Sequence, residues 1–255
     1  MQKIDYLEES KIYHIYNCGI NGEDLFRNTD DYERFLRLYE KYIEPVAETF
    51  AWVLMKNHFH LMVKIKQNPA YKYSNDDGSF DKEQFNEIKW ETVELPVSIV
   101  GKPFSIADRS DDAVRFEGNL ACQRLTKEDP SALKSNLIPQ PHLHFSHLFN
   151  AYAKYYNKKY HRHGTLFERQ FKRREVDNRK YFRSLVVYIH QNPVHHGFCE
   201  HPLDYGWSSY LTCISLKPTS LNRQEVIGWF DNIGNFKTLH EKRVVIESIE
   251  KYLEH

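Results

Sequence analysis

The chain lacks the features that would place it directly in several common classes. Its four cysteines, Cys18, Cys122, Cys199 and Cys213, are far apart and form no CxxC pair. That argues against a thiolate zinc site and against a small disulfide scaffold, and leaves reduced thiols. No apolar run approaches the roughly 20 residues of a membrane helix, and the opening MQKIDYLEESKIYH is charged where a signal peptide would be apolar. The expectation is a cytoplasmic protein with no membrane partner. Net charge is also missing: 35 Lys plus Arg balance 35 Asp plus Glu, so any surface for a polyanion must be local. No internal repeat is visible. What the 255 residues do have is core material, with 41% hydrophobic and 15% aromatic, enough for one large core with appendages.

Periodicity orders that material. KIYHIYN, Lys11 to Asn17, is β-branched and aromatic and runs into the glycine loop CGINGED, which predicts a first strand. Asp30 and Asp31 open an amphipathic helix carrying Phe35, Leu36, Leu38, Tyr39 and Ile43, with Pro45 near its stop. FAWVLMK and FHLMVKIK read as two strands around a tight turn at Lys56-Asn57. From about Gln67 to Pro141 the pattern weakens into an insertion with one expected hairpin and a short helix. A long helix is predicted over His144 to Tyr160, a strand near Phe171 to Val176, and a helix starting after a cap at Asp177 or Asn178 and ended by Pro193 and Gly197. The core order β-α-β-β-α-β-α predicts an α+β, ferredoxin-like fold, an antiparallel sheet with helices mainly on one face. Residues 1–210 form the main domain, insertion included, and 211–255 a helical C-terminal extension containing EVIGWFDNI and a charged terminal helix.

Two patterns carry chemistry. In KNHFHLMVKI, strand alternation sends His58 and His60 to one face and Phe59 and Leu61 to the other, a geometry able to hold a metal ion. On the last core helix Tyr188 and Asn192 are four residues apart and share a face, beside a core stripe of Phe182, Leu185, Val186 and Ile189. Two imidazoles with an amide oxygen suit Mg²⁺ or Mn²⁺, the latter accepting imidazole more readily.

The segments KNHFHLMV, YNKKYHRHGTLFERQFKRREV, YIHQNPVHHGF and DYGWSSY resemble the REP-associated tyrosine transposases, within the single-tyrosine HUH transposases of the insertion sequence 200 type. The resemblance spans roughly Lys11 to Tyr210, interrupted by the insertion. It implies that His58 and His60 bind a divalent metal with Asn192 as third ligand, and that Tyr188, four residues before the Asn-Pro pair, is the nucleophile. It further implies nicking and rejoining of single-stranded or hairpin DNA, repetitive palindromic elements among the partners, through a 5′-phosphotyrosine, and it admits a homodimer. One departure is Lys56, where many relatives carry proline.

A substrate surface is legible in the second half. From Ala151 to Arg183 there are 11 Lys or Arg against 3 acids, a local charge of +8 in a neutral protein. Lys154, Lys158, Lys159, Arg162, Arg169, Lys172, Arg173 and Arg174 are the candidate DNA contacts. Tyr152, Tyr155, Tyr156, Tyr160, Phe167 and Phe171 are interleaved as if to stack unpaired bases. Two alternatives stay open: an inactive, domesticated module that binds a DNA or RNA hairpin, and a metal-dependent hydrolase in which Tyr188 is dispensable. Tyr152, Tyr155 and Tyr156 are alternative nucleophiles.

Overall fold

The computed structural model describes residues 6–69, 139–168 and 170–241. The hairpin and short helix expected in the insertion, the terminal helix beyond Glu241, and Arg169 lie outside the described residues. The core elements are β1 (Ile12–Cys18), α1 (Thr29–Ile43), β2 (Ala47–Met55), β3 (His58–Ile65), α2 (Pro141–Lys159), β4 (Lys172–Val176) and α3 (Arg179–His195). Three short helices follow: α4 (Tyr210–Ile214), α5 (Arg223–Trp229) and α6 (Ile233–Glu241). The strands form one antiparallel sheet in the order β2-β3-β1-β4. β3 therefore separates the parallel pair β1 and β2, the split βαβ arrangement of a ferredoxin-like fold.

Alternation along β3 assigns the layers. Phe59 packs at 5.4 Å between ring centroids from Phe35 of α1 and at 5.3 Å from Phe149 of α2, so these two helices cover one face. His58 and His60 point to the other face, where the Tyr188 ring of α3 stands 5.4 Å from His60. The expectation of helices mainly on one face thus holds for α1 and α2, whereas α3 lies opposite. Its buried Leu185, Val186 and Ile189 need a second sheet face to cover them. α5 joins that layer through Trp229, 4.8 Å from Phe50 and 5.1 Å from Phe182. The free edge of β2 is closed by Trp207 to Ser209: the Leu54 amide donates to the Trp207 carbonyl, and the Ser209 amide donates to that of Trp52, both at 2.9 Å.

Two helix boundaries differ from expectation. α2 begins at Pro141 rather than His144, because a proline at the first helical position forfeits a donor that would have no partner anyway. α3 runs through Pro193 to His195 before Gly197, at φ +72°, turns the chain. Pro193 withholds only its own donor; the next turn survives, with the His196 amide donating to the Asn192 carbonyl at 3.0 Å.

Asp31 ties the α1–α2 layer together. It is fully buried, and with Asn28 it forms the capping box of α1. Its carboxylate accepts from Lys159 Nζ at 2.9 Å, Tyr160 Oη at 2.6 Å and Tyr155 Oη at 3.1 Å. Burial alone would raise its pKa, but the hydrogen bonds from Tyr160 and Lys159 outweigh that and hold it below the usual carboxylate range. Asp31→Ala would remove the Asp31 half of the capping box and the buried carboxylate shared by Lys159, Tyr155 and Tyr160, at a cost of about 3 kcal/mol, a drop in Tm of roughly 6–12 °C. Calorimetry of the variant checks this, and a Tm within 2 °C of wild type would contradict it.

Candidate active site

The site is built where the start of β3 meets the last turn of α3. The turn Lys56-Asn57 fixes where β3 begins and is held from outside. The Lys56 carbonyl accepts the amides of Leu25 at 2.8 Å and Phe26 at 3.0 Å, and the Asn57 carbonyl accepts that of Gly19 at 2.8 Å. Lys56 Nζ pairs with Asp24 at 3.1 Å and adds to the hold on the turn. Gly19 is required at that approach: a Cβ there would lie 2.0 Å from the Glu23 carbonyl oxygen.

His58 and His60 share one face, as their spacing predicts. His58 Nε2 lies 3.0 Å from Asn192 Oδ1, and its Nδ1 lies 2.8 Å from Asn57 Oδ1. The Tyr188 ring, half-buried, stands edge-on to His60 at 82°. The four residues singled out from sequence therefore converge, although 134 positions separate His58 from Asn192. Burial lowers the pKa of His58, partly offset by the Asn192 contact, and lowers that of His60 well below the usual range, with His14, His58 and His196 adding to the effect. Both rings are neutral near pH 7, the form that ligates metals.

The His58 contacts are informative about charge. A neutral imidazole has one N–H and one lone pair, yet both its nitrogens face amide oxygens. One contact therefore sets lone pair against lone pair unless an amide turns or a cation is shared. Nδ1–H donation to Asn57 leaves Nε2 and Asn192 Oδ1 as two converging donors of electron pairs, a chemistry that fits a divalent cation. Among the described residues, no group of three or more His, Cys, Asp or Glu is placed to hold a metal ion. The set here includes an amide and so is of another kind.

No family model and no curated protein matches the chain. Among solved structures, that of a REP-associated tyrosine transposase bound to a REP hairpin is similar, with 14% identity and a TM-score of 0.48. The match covers 86% of this chain and 88% of that one.

Three neighbours of the site escaped the sequence reading. His14, fully buried on β1, places Nε2 2.9 Å from His60 Nδ1. Tyr16, two residues on and directly opposite His60, stacks on His14 at 4.6 Å and on His60 at 5.6 Å. The exposed His196 lies 4.9 Å from His58. Alternation of His14 and Tyr16 along IYHIYN was the available signal, but register alone assigns it to His60.

The basic residues divide. Lys172 and Arg174 sit opposite Tyr16 and His14 in the β1–β4 register and so share the histidine face, with Lys172 Nζ 5.7 Å above the Tyr16 ring. Arg173 points to the other layer, 4.4 Å from the Phe171 ring centroid. Lys154 and Lys158 are exposed on α2, Lys159 is paired with Asp31, and Arg162 bonds to Glu23 and Asn157. The interleaved aromatics are not a stacking track. Tyr152, Tyr156, Phe167 and Phe171 are core residues, because the 3–4 spacing that exposes Lys154 and Lys158 turns the tyrosines inward. Tyr155 and Tyr160 are tied to Asp31. The alternative nucleophiles fall with them: Tyr152 Oη donates to the Leu25 carbonyl at 2.6 Å and Tyr156 Oη to that of Asp24, on the side of the sheet away from His58 and His60.

Proposed function

We propose that the chain is a DNA strand-transferase that cuts and rejoins single-stranded or hairpin DNA through Tyr188. The observation that carries this reading is the meeting of Tyr188 and Asn192 with His60 and His58 at one point of the sheet. It agrees with the motif resemblance residue by residue. His58 Nε2, His60 Nε2 and Asn192 Oδ1 would hold Mn²⁺ or Mg²⁺; a metal bound there supplies polarisation of the scissile phosphate and offsets charge on its oxygens. Lys172 and Arg174, on the same face, provide the positive charge that draws the DNA backbone to the site. Tyr188 Oη attacks phosphorus: the Oη–P bond forms, the P–O3′ bond breaks, and the phenolic proton is lost as the 3′-oxygen gains one. The product is a 5′-phosphotyrosine and a free 3′-hydroxyl. Because the ester is retained, attack by another 3′-hydroxyl rejoins the strand instead of hydrolysing it.

The test is incubation of the protein and Mn²⁺ with labelled hairpin oligonucleotides from the flanks of its own gene. A denaturation-resistant protein–DNA adduct supports the proposal. Cleavage without an adduct indicates a hydrolase that uses water, and binding without cleavage indicates a hairpin-binding module; either would overturn it.

A further inference from the structure

We infer that His14 is the positioning residue for His60, accepting its Nδ1–H and so presenting His60 Nε2 to the site as a lone pair. The inference rests on the reading of His60 as a metal ligand. The geometry is specific. The two rings are nearly parallel at 19°, with Nε2 of His14 2.9 Å from Nδ1 of His60, and neither ring is more than 7% exposed. Tyr16 stacked on His14 and Tyr188 edge-on at 6.5 Å keep the ring from turning away.

Proton bookkeeping gives the contact its consequence. Two neutral imidazoles in contact share one N–H between them, so only two arrangements exist. If His14 Nε2–H donates, the His60 proton moves to Nε2 and that atom is closed to a metal. If His60 Nδ1–H donates, His60 Nε2 is open and His14 carries its own proton on Nδ1. Among the described residues that buried Nδ1 has no hydrogen-bond partner, so no other contact there commits His14 to either tautomer. His14 can therefore follow the state of His60. An acceptor behind a metal-bound histidine fixes ring orientation and raises ligand basicity, and its loss typically lowers metal affinity or activity ~10–100-fold.

Mn²⁺ titration of the full chain, following free Mn²⁺ by electron paramagnetic resonance, tests this in wild type, His14→Gln and His14→Leu, with thermal unfolding in the absence of metal as a control on folding. The Gln amide oxygen stands close to where Nε2 stands and can accept the same proton; Leu fills the space and cannot. The expected result is a Kd within about threefold of wild type for His14→Gln and a ~10–100-fold weaker one for His14→Leu. Equal affinity of His14→Leu and wild type overturns the inference while leaving the metal site standing, as does equal weakening of the Gln and Leu variants. Failure of wild type to take up Mn²⁺ overturns the metal site and the inference with it. Should His14→Leu not fold, His14→Asn, whose amide is too short to reach His60, replaces it with the same expected loss.

Discussion

Tyr188→Phe should bind hairpin DNA within about threefold of wild type yet lower the adduct by ~10⁴-fold or more, to background. Only one oxygen is removed. The phenyl ring that remains keeps its edge against His60 and His14, so packing on the half-buried face of α3 is preserved. The hydroxyl is the group that bonds to phosphorus, and the phenols of the α1–α2 layer are not placed to replace it. Tyr152 and Tyr156 are held by backbone carbonyls in the α1–α2 layer, and Tyr155 by Asp31. Burial, moreover, raises the pKa of all three phenols. The measurement is a denaturing gel of labelled hairpin with both proteins, paired with a binding isotherm at fixed salt, since phosphate contacts make affinity salt-dependent. An undiminished adduct in Tyr188→Phe would sink the tyrosine mechanism as assigned; loss of both binding and folding would show Tyr188 to be a core residue.

Acid should unfold the protein at a pH well above that at which carboxylates alone would do so. Burial pushes His144 down to about 4 and His240 down to about 4, each partly offset by a hydrogen bond from Nδ1 to a backbone carbonyl, that of Tyr42 and that of Phe236. Burial also pushes His14 down to about 3, and lowers His190 well below the usual range. His190 and His240 show how the neutral form is held. His240 donates from Nδ1 to the Phe236 carbonyl, so its Nε2 must accept from His190 Nδ1–H at 2.9 Å; His190 Nε2 then accepts the Ser209 hydroxyl at 2.7 Å. With the Ser209 hydroxyl donating to His190, every proton in this chain has an acceptor, and a further proton would place a charge among groups that burial holds neutral.

In the unfolded chain these histidines take up protons near pH 6.5, whereas in the folded state His144 and His240 do so only near 4, His14 near 3, and His190 well below the usual range. The unfolded state therefore binds more protons below pH 6.5, and stability, complete above that value, falls as pH drops toward 4. At pH 4.5 His14, His144 and His240 each forfeit about 2–3 kcal/mol, and together they approach the whole stability of a typical domain. Urea midpoints measured from pH 7.5 to 4.5 should be flat above pH 7 and fall steeply below 6.5. A midpoint unchanged down to pH 5 would contradict the buried neutral assignment.

Local pattern determined a good deal here. The cap of α3, the Lys56-Asn57 turn, and the antiparallel β-α-β-β-α-β-α order follow from turn chemistry and from periods of 2 and 3.6, whereas the Asn28 cap of α1 escaped the sequence reading. The same periods put His58 with His60, and Tyr188 with Asn192, because which residues share a face is a property of the element itself. What a face meets is not. Only the tertiary structure decided that α3 crosses the sheet opposite α1 and α2, that Tyr152, Tyr156, Phe167 and Phe171 fill the core, and that Lys159 and Arg162 are spent on Asp31 and Glu23. It also decided that His14 backs His60, and that Ser209 of the Trp-Ser-Ser segment closes the β2 edge and anchors His190. Each of these pairs groups far apart in the chain, and no local spacing encodes strand register or the burial that settles whether an aromatic or a cation faces solvent or core.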